Sequence, residues 1–258
     1  MKGLTIVKIG GNIIDGSAAL ERFLLQFAQI ESPKILVHGG GNMATQLAQK
    51  LGIETKMVDG RRITDLETLK IAVMVYAGWI NKSLVASLQK LGCNAIGMSG
   101  ADGDTVPAKR RAKKPIDFGY VGDVDPSHIN STLLTSILGR GITPIFCAVT
   151  HDGNGTLFNT NADTMASSIA IAMSVNYRTN LIYCFEKDGV LEDINDSSSV
   201  IPLISQKSYL KLRERGVVQE GMIPKIENAF FALQNNVSKV SIRSSANLLV
   251  KRGTTLVK

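Results

Sequence analysis

Three short apolar runs in this chain stop at glycine: TIVKIGG (5–11), KILVHGGG (34–41) and NAIGMSG (94–100). Helix-length stretches with 3.6-residue periodicity lie between and after them. Strands that alternate with helices call for a mainly parallel sheet, because parallel neighbours need a crossover and the helices then cover both faces. In open sheets of this kind ligands bind outside the carboxyl ends of the strands. Glycine at those ends lets backbone N–H groups approach a ligand and form an anion-binding concavity. The helix-like NMATQLAQKLG (42–52), which follows Gly41, aims its positive end at the same place. The pattern predicts an α/β protein with a phosphate or carboxylate ligand at its glycine-rich edge.

The first of these runs makes a strand over LTIVKIG (4–10), and further strands are expected over TPIFCAVT (143–150), NLIYCFE (180–186), SKVSIRS (238–244) and GTTLVK (253–258). Helices are expected over 17–30 with Ser17 as cap, 66–92 stopped by Gly92, 161–175 and 205–216, with another entered near Pro224 and Lys225. The irregular stretch from Ala101 to Ser127 contains DFGYVGDVDP and reads as a β-hairpin or flap. No repeat or linker is visible, and a division near residue 177 would separate lobes of one compact unit.

At 258 residues with 44% apolar and 20% charged positions, the chain can bury a large core. Uninterrupted apolar runs such as SIAIAM (168–173) fall short of the ~20 residues of a membrane helix, and no signal-peptide pattern opens the chain. Cys93, Cys147 and Cys184 are scattered in apolar surroundings and read as structural thiols in a reducing cytosol. His38, His128 and His151 share no metal-ligand spacing. Part of the +7 net charge lies in AKRRAKK (108–114), a solvated hairpin or an attractor of small anions. No aromatic residue interleaves that run, which disfavours a nucleic-acid surface. Neither G-x-x-x-x-G-K-[ST] nor a strand-to-helix G-x-G-x-x-G is present, so a nucleotide would be held in another way.

The ordered set KIGGN (8–12), VHGGGN (37–42), GRRIT (60–64), MSGADGD (98–104), DFGYVGDV (117–124), NTNAD (159–163), DGVL (188–191) and GMIPKIENA (221–229) resembles the acetylglutamate kinases of the amino-acid kinase superfamily. The resemblance covers almost the whole chain. NTNAD and DFGYVGDV set it apart from carbamate, aspartate and uridylate kinases.

The resemblance implies an α/β three-layer sandwich with a central, mostly parallel sheet, the carbamate-kinase-like fold. Residues 1–177 would form the lobe for acylglutamate and dimerisation, and 178–258 the ATP lobe. The implied reaction moves the γ-phosphoryl of ATP, with Mg2+ carried mainly by phosphates and water, to the side-chain carboxylate of an N-acylglutamate. That step belongs to arginine biosynthesis. The resemblance also implies a cytoplasmic homodimer insensitive to arginine, with no nucleic-acid or membrane partner. Other readings are another carboxylate or carbamate kinase of the superfamily and a non-catalytic sensor on the same fold.

An acceptor carboxylate with a pKa near ~4.3 is already ionised at neutral pH, so no general base is required. The obstacle is the approach of an anion to a polyanion, which positioned cations and N–H groups relieve. By resemblance, Lys8 and Lys225 neutralise the transferring group from opposite lobes, beside the N–H groups of Gly10 and Gly11, and Asp163 organises the two lysines. Gly40 and Gly41 would face the acceptor carboxylate, Arg62 would hold the α-carboxylate as a bidentate pair, and Asn159 would hydrogen-bond the amide-like part. Glu186, Gly189, Val190, Leu191, Gln219 and Met222 would meet the nucleotide. Read without the resemblance, Lys8 and Asp163 are an ion pair, Arg62 is a surface charge and Asn159 is a turn or cap residue. Arg61, Asp65 and Asn161 keep structural roles.

Two departures stand out. CFEKDGVL has Glu186 where the family usually has aspartate, and TPIFCAVTHDG (143–153) is bulkier than the family's version. The second departure, with the basic run near the flap, admits a longer acyl group such as succinyl.

Overall fold

The structure, a computed structural model, describes residues 1–58, 61–218, 222–250 and 252–258, the side chain of Arg61 excepted. Its frame is an eight-stranded sheet. From one edge the order is Leu203–Ser205, Thr254–Val257, Lys239–Ser244, Arg178–Phe185, Gly3–Ile9, Lys34–His38, Thr143–Cys147 and Ala95–Met98. Every neighbouring pair is parallel except Lys239–Ser244 with Thr254–Val257. The first strand is central, flanked by Lys34–His38 on one side and Arg178–Phe185 on the other. A crevice opens at the carboxyl end of such a strand because the chain leaves it in two directions.

Side chains alternate along each strand, and the two faces of the sheet bury separate cores. Leu4, Ile6, Leu181 and Tyr183 enter one core with Met165 and Ile169 of the helix Ala162–Met173 and Ile226 and Phe230 of the helix Ile223–Gln234. Val7, Ile9, Ile182 and Cys184 enter the other with Phe23 and Phe27 of the helix Ser17–Ala28 and Leu84 and Leu88 of the helix Asn81–Lys90. Helices on both faces of a mostly parallel sheet make the three-layer sandwich. Lys8 pairs in register with Tyr183. The strand alternation therefore puts this lysine on the same face as Leu4 and Ile6, in line with a hydrophobic core.

Several sequence expectations shift. The stretch 143–150 does not stay in one sheet: Thr143–Cys147 is a sheet strand, and Val149–His151 pairs antiparallel with Leu157–Asn159. Gly16, not Ser17, is the cap of the first long helix, and Ser17 is already helical. A short helix, Gly11–Asp15, starts directly after the first strand. The helical path from Leu66 to Lys90 is continuous, but Met74–Ile80 is wound as a π-helix between two α-helical parts. This path runs 25 residues and holds an 18-residue stretch of mean hydropathy 1.4, long and apolar enough to cross a membrane by length and composition. Ile71, Ala72, Val75, Tyr76, Ile80, Leu84 and Leu88 nevertheless pack into the protein's own core, as in the core helix of a sandwich.

The flap is a hairpin as expected, Ala108–Arg110 against Gly122–Val124. Its basic run meets nearby acids. Arg111 grips Asp123, while Arg110 and Lys113 approach Asp117 at 3.7 and 3.4 Å.

Candidate active site

Lys8 is the next-to-last residue of the central strand and Asp163 lies in the first turn of the helix that packs on it. Lys8 Nζ stands 2.8 Å from Asp163 Oδ1, with both side chains about nine-tenths buried. Asp163 Oδ1 accepts no aligned hydrogen bond, so charge attraction holds this contact. Asn161 caps the helix, its side-chain oxygen accepting from the N–H groups of Asp163 and Thr164 at 2.8 and 3.0 Å. That cap fixes the carboxylate's starting position, and the helix N-terminus favours its charge.

Lys225 comes from another element, the first turn of the helix Ile223–Gln234, with Pro224 beside it. Its Nζ lies 3.9 Å from the other oxygen of Asp163. A cation in the first turn is disfavoured by the helix dipole by about 0.3–1 kcal/mol, so helix stability does not account for its placement. Burial pushes the Lys225 ammonium below its ordinary pKa, Asp163 opposes that shift, and Lys8 adds to it. The two lysines thus sense each other across one carboxylate.

Both ammonium groups also sit against one ring. Lys8 Nζ is 5.3 Å and Lys225 Nζ 5.1 Å from the centroid of Phe185, the last residue of the neighbouring strand. Tyr183 stacks with Phe185 at 6.5 Å, and its hydroxyl donates to the Asp163 carbonyl at 3.2 Å.

The glycine loops converge on the same end of the sheet. A Cβ on Gly11 would lie 2.4 Å from the Gly41 Cα, so the two loops touch backbone to backbone. Gly41 has φ +56°, in the left-handed region, and a Cβ there would press on the Asp15 carboxylate. Asp15 also accepts from the N–H of Asn42 at 3.0 Å. A Cβ on Gly40 would fall inside the ring of Tyr76, which belongs to the π-helical segment. Gly10 donates its N–H to the Cys184 carbonyl at 3.2 Å and lies against Phe185.

On one side of this centre is a cavity of about 200 Å³ lined by Arg62, Tyr76, Arg111, Asn159 and the backbone around Gly39 and Ala162, among others. Arg62 donates to Thr45 Oγ1 at 2.8 Å, and Asn159 donates its side-chain N–H to Thr64 Oγ1 at 3.1 Å. Burial raises the Tyr76 phenol above its ordinary pKa, with the Arg62 guanidinium acting in the opposite direction. On the other side a cavity of about 510 Å³ is lined by Asn12, Phe185, Glu186, Gly189, Val190, Leu191, Met222 and Lys225, among others. Gly189 is crowded by Thr254, whose hydroxyl also accepts from the N–H of Val190 at 2.8 Å.

The structure thus gathers Lys8, Asp163, Lys225 and Gly10 at one centre, with Gly11 and Gly41 in contact beside it. Arg62 and Asn159 line one adjoining cavity, and Glu186, Gly189, Val190, Leu191 and Met222 the other. Gly40 lines neither cavity and backs onto Tyr76. Gln219 lies outside the described residues. Asn161 and Asp65 serve as helix caps, the structural role expected of them. Phe185 and Tyr76 give no sequence signal, the first ending a strand as ordinary core would and the second lying in an apolar helix. Arg111 belongs to the basic run expected to attract anions, and it is the member of that run that lines the cavity. The three cysteines are buried free thiols, and burial pushes Cys147 and Cys184 up to about 12, consistent with inert core positions. Among the described residues no cluster of three His, Cys, Asp or Glu side chains could hold a metal ion.

Residues 3–244 match the model of the Amino acid kinase family. The chain is 52% identical to the acetylglutamate kinase of Cytophaga hutchinsonii over 96% of its own length and 94% of that protein. It is 48% identical to the acetylglutamate kinase of Bacteroides fragilis, covering 99% and 97% of the two chains. Among solved structures, that of smu.665 from Streptococcus mutans UA159 superposes with a TM-score of 0.82 at 26% identity, covering 98% of each chain. The chain belongs to the amino acid kinase family and, within it, to the acetylglutamate kinases.

Proposed function

We propose that this protein transfers the γ-phosphoryl group of MgATP to the side-chain carboxylate of N-acetyl-L-glutamate, giving an acyl phosphate in arginine biosynthesis. The observation that carries the reading is the pair of lysines from different elements that meet at Asp163, between two cavities. The smaller cavity suits the acyl amino acid: Arg62 faces its α-carboxylate and Asn159 its amide. The larger suits the nucleotide, with Lys225 at its inner end. Asn12 and Glu186 are polar groups within its reach.

The acceptor arrives ionised, so the protein has no proton to remove. Lys8 and Lys225 offset the repulsion between acceptor and triphosphate, and the N–H group of Gly11 faces the charge that develops on the transferring group. The Gly10 N–H, expected to join it, is already donated to the Cys184 carbonyl. Asp163 keeps the two ammonium groups apart from each other and pointed inward, an organising role. Magnesium would come with the triphosphate as part of the co-substrate, since it keeps several waters and binds through phosphates. It would supply charge neutralisation on the phosphates.

A longer acyl group is the second reading. Arg111 lines the same cavity as Arg62 and would meet a terminal carboxylate such as that of a succinyl group, although Asp123 already engages it. The reading of two lobes divided near residue 177, acyl substrate on the amino-terminal side and ATP on the other, is supported by the linings of the two cavities, although Asn12 also borders the second. A homodimer suits the exposed Trp79, Met74 and Ile96, the last on the sheet's edge strand.

A coupled assay of ADP formation with N-acetyl- and N-succinyl-glutamate tests both readings, with Lys8→Ala as control. Turnover with the acetyl compound that vanishes in the control supports the first. Preference for the succinyl compound, lost in Arg111→Ala, favours the second. No turnover with either substrate would falsify the assignment.

A further inference from the structure

We propose that Phe185 is a positioning residue for phosphoryl transfer, a shared aromatic platform that holds Lys8 and Lys225 in place before the nucleotide binds. This rests on reading the two lysines as the transfer cations.

Three observations support it. Each ammonium group lies within the ~6 Å over which a ring face attracts a cation. The ring belongs to the wall of the cavity that also contains Lys225, so it stands where the reaction would occur. Tyr183 stacks behind it and ties the same unit to Asp163 through a hydroxyl–carbonyl hydrogen bond. Strand register fixes the arrangement, since Tyr183 pairs with Lys8 and Phe185 extends one step past the last pair, Ile9 with Cys184, beside Gly10.

The chemistry gives the ring a task that Asp163 cannot perform alone. Two ammonium groups this close repel each other, and a carboxylate between them offsets the repulsion. A carboxylate also repels an incoming triphosphate and an acceptor anion. An aromatic face attracts both cations through its quadrupole and adds no net charge. With the ring in place, one carboxylate suffices to hold two lysines, and the site keeps its net positive charge for two anionic substrates.

The test compares Phe185→Leu and Phe185→Tyr with the unaltered protein for kcat, for KM of N-acetylglutamate and ATP, and for the pH dependence of kcat. Phe185→Leu is expected to lower kcat about 5- to 30-fold, the loss of two cation–ring contacts. Its KM for N-acetylglutamate should stay within about twofold, because the ring is not in that cavity. Its alkaline limb should move to lower pH, because the ring favours the protonated amines. Phe185→Tyr keeps the ring face and should recover kcat to within about threefold of the unaltered protein. It also serves as the folding control. Equal kcat in Phe185→Leu and the unaltered protein overturns the proposal, as does an equal loss in the Leu and Tyr variants with an unmoved alkaline limb. Lys8→Ala, run in parallel, separates the two levels. Full activity in Lys8→Ala removes the underlying assignment, whereas a dead Lys8→Ala beside a normal Phe185→Leu removes only the role of the ring.

Discussion

Lys8 and Asp163 meet 2.8 Å apart in the seam between the central strand and the helix packed on it, at positions where the alternation of the fold would otherwise place apolar residues. A buried pair of this kind contributes little net stability, because desolvation offsets the attraction, but removing one partner leaves the other charge stranded. Lys8→Met is therefore expected to destabilise the protein by up to about 3–5 kcal/mol, lessened by Lys225 at 3.9 Å from the same carboxylate. Lys8→Met combined with Asp163→Leu should regain much of that stability in urea unfolding while turnover stays lost by at least ~10²-fold. A double variant that recovers turnover would show the pair to be structural.

That buried pair also shows how far the sequence could be read. The glycine-ended runs were legible because a strand that must bring its backbone to a ligand leaves glycine at its end, and the structure puts Gly10, Gly11 and Gly41 together. The two lysines were legible only through the ordered motifs around them, since nothing in their local spacing reveals that Lys8 and Lys225 converge across more than two hundred residues. Phe185 and Tyr76 escaped notice for a different reason. An aromatic residue at a strand end or in an apolar helix has the same local pattern whether it packs in the core or faces a site. The π-helical winding at Met74–Ile80 was equally silent, because apolar residues on several sides fit either winding.

The pH dependence of turnover should carry the signature of Lys225. Burial lowers its folded pKa below the ordinary lysine value, so the ammonium form needed to face phosphate is lost earlier on the alkaline side than for a free lysine. The expected outcome is an alkaline limb in kcat below ~10.4 that moves upward in Lys225→Arg, whose guanidinium stays charged. The stability effect has the opposite slope. A depressed amine pKa means the unfolded chain binds more protons between the depressed and the ordinary lysine value, so this group's penalty on folding fades as pH rises through that window. A limb unmoved by the arginine replacement would assign the titration elsewhere.

The contact between the two glycine loops predicts a sharp contrast among glycine replacements. Gly11→Ala would set a Cβ 2.4 Å from the backbone of Gly41, which no side-chain adjustment relieves. Loss of measurable turnover is expected, with a lowered melting temperature. Gly139→Ala, at the end of the helix Ser131–Gly139 with open space around its Cβ, should instead raise stability by about 0.4–1 kcal/mol through the unfolded chain. Thermal melts and activity measured on both variants check the pair, and a fully active Gly11→Ala would refute the close approach.

Behind the glycine loop lies His38, fully buried, with one ring nitrogen on the Gly39 carbonyl at 2.9 Å and the other 3.1 Å from the Asn81 side-chain amide. Asn81 is held in turn by a hydrogen bond to the Ile145 carbonyl at 2.8 Å. Because Asn81 donates to the second nitrogen, the imidazole is neutral, with its own N–H donated to Gly39. Burial drives its pKa down to about 4. Between about 6.5 and 4 the unfolded chain takes up a proton that the folded protein refuses, so stability falls as pH falls through that window, by on the order of 3 kcal/mol. Urea unfolding at pH 7 and pH 4.5 should show this loss, and His38→Asn, which has no titrating ring, should flatten it even though its stability at pH 7 is lower. An equally steep loss in His38→Asn would transfer the acid sensitivity to other groups.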